Sequence, residues 1–115
     1  MGPFRDGWTC EQGEAVLARD RPEELVYVPV VVSMDPPDGN WAEAICLRLA
    51  AHPDPQVRGN AVLGLGHLAR VVGRLNLAVA LPVLRAALFD PDAWVRGQAD
   101  AAADDVEHFL KTKVR

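Results

Sequence analysis

Apolar positions in the second half of the chain recur at helical spacing. Ile45, Cys46, Leu49 and Ala50 follow i, i+1, i+4, i+5, one stripe of an amphipathic helix. Asn40 with Glu43 three residues on reads as an N-cap and a variant capping box, opening a helix over about 40–51. The His52-Pro53-Asp54-Pro55 segment stops it, because proline restricts the residue before it and cannot continue the hydrogen-bond ladder. A second helix from Pro55 puts Val57, Ala61, Leu65 and Leu68 on one face, and Gly73 is placed to end it. Asn76 opens a third helix running to Phe89, with Pro82 inside it and expected to bend it. After Asp90-Pro91-Asp92, a last helix turns Val95, Ala99, Ala102, Ala103, Val106 and Leu110 inward. Lys111, Lys113 and Arg115 suit the negative end of its dipole.

The two halves of this pattern repeat each other. His-Pro-Asp-Pro-Gln-Val-Arg-Gly-Asn-Ala at 52–61 aligns with Asp-Pro-Asp-Ala-Trp-Val-Arg-Gly-Gln-Ala at 90–99, an offset of 38 residues. A fixed period near forty indicates stacked helix pairs. Asp54 and Asp92 stand just before helix starts and are expected to cap them. The first forty residues supply a degraded third pair. Thr9 caps a helix over 11–18, and Asp20 with Pro22 opens another through Leu25 and Val28. The β-branched run at 26–32 also reads as a strand, but a lone strand has no partner elsewhere in the chain. Residues 34–39 (MDPPDG) form a loop.

The turn Asp-Pro-Asp-x-x-Val-Arg-x-x-Ala, with Pro82 in the preceding helix, resembles the HEAT-repeat family. The resemblance covers 41–110 and implies an all-α fold: one domain over 1–115, a short HEAT-like α-solenoid of about three helix pairs (1–40, 41–73 and 76–112). It also implies a ladder between stacked repeats, built on an aspartate six residues before an arginine. Asp90 and Arg96 have that spacing, and Arg58 reaches Asp90 from the repeat before; His52 interrupts the ladder on the other side. With Gly-His-Leu-Ala-Arg at 66–70 and Gly-Arg-Leu at 73–75, the chain resembles short stand-alone bacterial HEAT proteins. In size and architecture it is similar to immunity proteins of contact-dependent growth inhibition and related polymorphic toxin systems, although no residue is an immunity signature. That resemblance implies a protein that binds and neutralises a cognate toxin; the alternative is a HEAT scaffold or regulatory subunit.

Composition narrows the partner. The 115 residues carry a net charge of −4, arranged as −5 over 1–40, +3 over 41–89 and −2 over 90–115. This argues against a nucleic-acid backbone binder and suits a basic protein such as a toxin domain. Two cysteines without a CxxC make neither a disulfide framework nor a zinc site. The longest unbroken apolar run, 77–81, is far short of a membrane span, and the start lacks a signal-peptide pattern, so a cytoplasmic protein is expected. No cofactor or metal is expected, nor catalysis: Glu107-His108 is the reverse of a ligating His-Glu pair, and Ser33 is the only serine. In a solenoid the second helices of each pair line one surface. Asn60, His67, Gln98, Asp104, Asp105 and His108 are therefore the candidate partner-binding residues. Exposure of Leu63 beside them would strengthen an interface, and Trp8, Trp41 and Trp94 are either hot spots or packing residues at helix starts.

Overall fold

A computed structural model describes residues 9–115, and the described residues are helical with no strand. The helices are α1 (Cys10–Arg19), α2 (Pro22–Leu25), α3 (Val28–Met34), α4 (Gly39–Leu49), α5 (Pro55–Val71), α6 (Leu77–Ala87) and α7 (Ala93–Leu110). They form a short α-solenoid with principal extents of 38 × 29 × 21 Å. Helices α1, α4 and α6 alternate with α3, α5 and α7, which pack side by side as a row.

Local chemistry sets each boundary. Thr9 and Gln12 make a reciprocal capping box at α1: Thr9 Oγ1 accepts from Gln12 N and Gln12 Oε1 from Thr9 N. The β-branched run at 26–32 is not a strand: 26–27 make a turn and 28–32 lie in α3. It does not continue the helix begun at Pro22, however, since Pro29 has no N–H to donate back to Leu25, so α2 and α3 are separate. At α4 the cap expected from Asn40 is made by Asp38, whose carboxylate accepts from Trp41 N at 2.9 Å. Asn40 lies inside the helix. Asp54 and Asp92 cap α5 and α7 as expected, each accepting from the two amides at positions +2 and +3. Gly73, at φ +82°, follows the end of α5 and donates to Leu68 O. Pro82 lies inside α6.

Asn76 stands at the N-cap of α6, but its side chain makes no capping bond. Instead its amide donates to both oxygens of Glu43 on α4, at 2.9 and 3.2 Å. Glu43 is almost fully buried, and this contact satisfies its carboxylate.

The core runs along the row. Val57, Ala61, Leu65 and Leu68 of α5 are buried against Val95, Ala99, Ala102, Ala103 and Val106 of α7, with Val28 and Val32 of α3 also in the core. Each buried valine or leucine is worth roughly 1.5–3 kcal/mol by transfer. Small residues let α5 and α7 approach closely: a Cβ added at Gly66 would lie 2.7 Å from Ala102 Cα. Leu110, expected to point inward, is only half-buried.

Candidate functional site

The α3–α5–α7 row carries polar side chains in register from helix to helix. Asn60 on α5 donates through Nδ2 to Val26 O at 2.7 Å, and its Oδ1 accepts from Gln98 Nε2 on α7 at 3.2 Å. This rung ties the segment before α3 to both long helices. One helical stretch further on, Ser33 Oγ of α3 lies 3.1 Å from His67 Nδ1 on α5 and 3.3 Å from Val30 O. Asp105 of α7 occupies the slot equivalent to His67 in the next unit.

His67 is half-buried, and its pKa lies below the ordinary histidine value. Burial is the largest cause and the Arg70 guanidinium adds to it, while Asp105 pulls the other way. Burial thus favours the neutral imidazole.

The six candidate residues thus share one helix row but differ in availability. Asn60, His67 and Gln98 are half-buried and bonded within the chain. Asp105 is half-buried, whereas Asp104 and His108 are exposed at the outer face of α7. The His108 ring stands edge-on to Phe109, centroids 4.6 Å apart. Leu63 is half-buried. Trp41 packs over Gly13 of α1 and Trp94 over Gly59 of α5, so both serve packing between neighbouring units, while Trp94 keeps 45% of its surface exposed. Trp8 lies outside the described residues.

Several features at the α6–α7 end escaped the sequence reading. Phe89, just after α6, is 86% exposed. Beyond α7, residues 111–115 do not simply face the helix dipole: they fold back, and Val114 is buried. Arg115 pairs with Asp104, with Glu107 at 2.8 Å and with Asp100 at 3.7 Å. A lone valine between Lys113 and Arg115 was the one sequence signal for this.

The described residues offer little reactive chemistry. None of their His, Cys, Asp and Glu side chains cluster in threes to hold a metal ion, and none of their helices is long and apolar enough to cross a membrane. Cys46 is buried and its thiol is pushed up to about 12, chiefly by burial, so it stays protonated and unreactive.

No curated protein and no solved structure matches the chain. Residues 44–72, the α4–α5 pair and the turn between them, match the HEAT repeat. The chain is therefore similar to the HEAT-repeat family over this pair, and the fold built around it is a short HEAT-like solenoid.

Proposed function

We propose that this chain is a non-catalytic protein-binding solenoid that recognises a basic protein partner, acting in the cytoplasm as an immunity protein that neutralises a cognate toxin. HEAT repeats are in general protein–protein interaction scaffolds, and the match at 44–72 supports that part of the reading. The observation that carries the choice of partner is the outer face of α7. Asp100 and Asp104 are exposed on one side of that helix, beside Arg115, and Trp94 and Phe109 are exposed elsewhere along it. Carboxylates steer and orient a basic surface, and aromatic groups supply contact area at its centre. The partner would meet the row at Asp104, Asp105 and His108, with Asn60, His67 and Gln98 at the edge of the contact.

Capture of the tagged chain from its source, followed by native mass spectrometry, tests this. A single stoichiometric basic partner that arrests growth when expressed alone, and not when co-expressed with this chain, is the expected result. Asp104→Lys with Asp105→Lys should weaken that complex at least tenfold and leave helicity unchanged. A partner harmless on its own would overturn neutralisation and favour the second reading, a HEAT scaffold or regulatory subunit, which the repeat match supports equally.

A further inference from the structure

Residues 112–115 pack across α6 and α7. Arg85 of α6 donates to two successive carbonyls, Nη2 to Lys113 O at 3.1 Å and Nε to Val114 O at 3.0 Å. Glu107 of α7 accepts from two successive amides, Val114 N at 2.9 Å and Arg115 N at 3.1 Å. Four main-chain groups are thus held by two side chains on opposite walls. The side chains alternate in the same manner: Val114 is 3% exposed, while Lys113 and Arg115 on either side are exposed. The Arg115 guanidinium sits among the carboxylates of Asp100, Asp104 and Glu107. Those contacts hold Glu107 down to about 2, the Arg115 side-chain bond being the largest cause.

We propose that this groove is a binding site for a short basic segment of a partner protein, an apolar residue followed by arginine, and that residues 112–115 are an internal competitor that keeps it closed. Main-chain recognition by Arg85 and Glu107 does not depend on which chain supplies the peptide. The occupant's chemistry follows from the charges: Arg115 is positive, and the wall it meets carries three carboxylates. The site also has room beside its present occupant. An open groove of about 610 Å³ lies along the strap, with Lys113, Val114 and Arg115 forming one wall and Leu88, Phe89 and Asp100 facing them, so a bulkier segment has room to make further contact with Leu88 and Phe89. The hinge is Lys111, which ends α7 in a left-handed conformation at φ +55°. An intramolecular occupant lowers the apparent affinity for any outside peptide in proportion to the fraction of time it is bound.

The proposal rests on the protein-binding reading and names the segment such a partner would present. Its test uses the full chain and a fluorescein-labelled peptide, Lys-Thr-Lys-Val-Arg-amide, read by anisotropy. Val114→Asp with Arg115→Glu should release the strap and bind the peptide at least tenfold more tightly than the unaltered chain; adding Glu107→Lys should abolish the gain. A released chain that keeps its helical circular dichroism but binds no better overturns the proposal. Should that variant fail to fold, hydrogen exchange on the unaltered chain decides: excess peptide should speed exchange of the Val114 and Arg115 amides severalfold, and unchanged rates overturn it. Concentration-dependent self-association lost in the strap variant would place a second copy's strap in the groove and likewise overturn the assignment to a partner. Failure of the peptide while a captured partner still binds the released chain sinks this site alone; failure of both sinks the protein-binding reading as well.

Discussion

Arg58 and Asp90 join successive units by a two-point contact, Nε to Oδ2 at 2.7 Å and Nη2 to Oδ1 at 2.9 Å, across 32 residues of chain. The same guanidinium donates through Nη1 to the carbonyls of His52 and Pro53, at 3.0 and 3.1 Å. Asp90 Oδ1 in turn accepts from Asp92 N at 2.9 Å, next to the cap of α7. One contact therefore fixes the start of α5, the turn before it and the turn before α7. Each partner also favours the other's charged form: Asp90 is held below the usual carboxylate range chiefly by Arg58, and Arg58 is raised chiefly by Asp90.

Arg58→Ala leaves the largely buried Asp90 carboxylate without its partner and frees two carbonyls. The expected cost is about 2–3 kcal/mol, or a fall in Tm of roughly 10 °C for a domain of this size. Arg58→Lys should fall between, since an ammonium cannot make the paired contact. Arg96 holds Asp90 O through Nη1, at 2.7 Å, and is exposed, so Arg96→Ala should lower Tm less. Thermal denaturation of the three variants checks the order, and equal effects of Arg58→Ala and Arg96→Ala would count against an inter-unit role for Arg58.

What was legible in the sequence is what local spacing encodes. The turn at 90–99 repeats at 52–61 because proline, the capping aspartate and the Val-Arg pair act within a few residues of one another. His52 illustrates the limit. It replaces Asp90 of the next unit and keeps its local task, Nδ1 accepting from Asp54 N at 3.0 Å as Asp90 Oδ1 accepts from Asp92 N. It has no carboxylate with which to grip an arginine from the preceding unit, so the ladder ends there. The cap of α4 was misassigned because Asp38 and Asn40 are both good N-caps, two residues apart. The Asn60–Gln98 rung follows the 38-residue period, but Asn60 meets Val26, and His67 meets Ser33, at a separation of 34. The first unit is shorter, so that register was hidden. The folded-back strap depends on charges brought together only by the fold, and periodicity carries no trace of it.

Gly66→Ala tests the close approach of α5 to α7. Alanine is the better helix former, yet its Cβ would press on the Ala102 backbone, which cannot rotate away as a side chain would. Separating the two helices disturbs the largest packed surface in the fold. Chemical denaturation should show a loss of about 1–3 kcal/mol with little change in the denaturant slope. Greater stability would mean that the row packs less tightly than described.

Glu43 acts as the acceptor for the start of α6 from a different helix. Glu43→Ala leaves the Asn76 amide without this partner and opens a gap beside α4; the expected cost is about 1–3 kcal/mol. Glu43→Gln keeps one acceptor oxygen and should recover about half of that. Amide exchange at Asn76 should rise in the alanine variant and stay slow in the glutamine variant, and indistinguishable variants would reassign Glu43 to packing alone.

His67 makes the solenoid sensitive to mild acid. Its folded pKa lies below the ordinary 6.5, so between those two values the unfolded chain binds a proton that the folded chain does not. The contribution is fully present above pH 6.5 and is lost as the pH falls through that window to the folded pKa, where it levels off. The facing charges set its depth. Arg70 lowers the pKa and Asp105 raises it, so Arg70→Gln should shrink the loss and Asp105→Asn should enlarge it. His67→Gln removes the titrating group while retaining a polar atom for Ser33, and it should flatten this part of the profile. The comparison to make is the Tm of each variant at pH 7.5 and pH 5.5, since carboxylates elsewhere contribute equally to all of them. If His67→Gln loses as much Tm as the unaltered chain over that interval, the imidazole is not the group responsible.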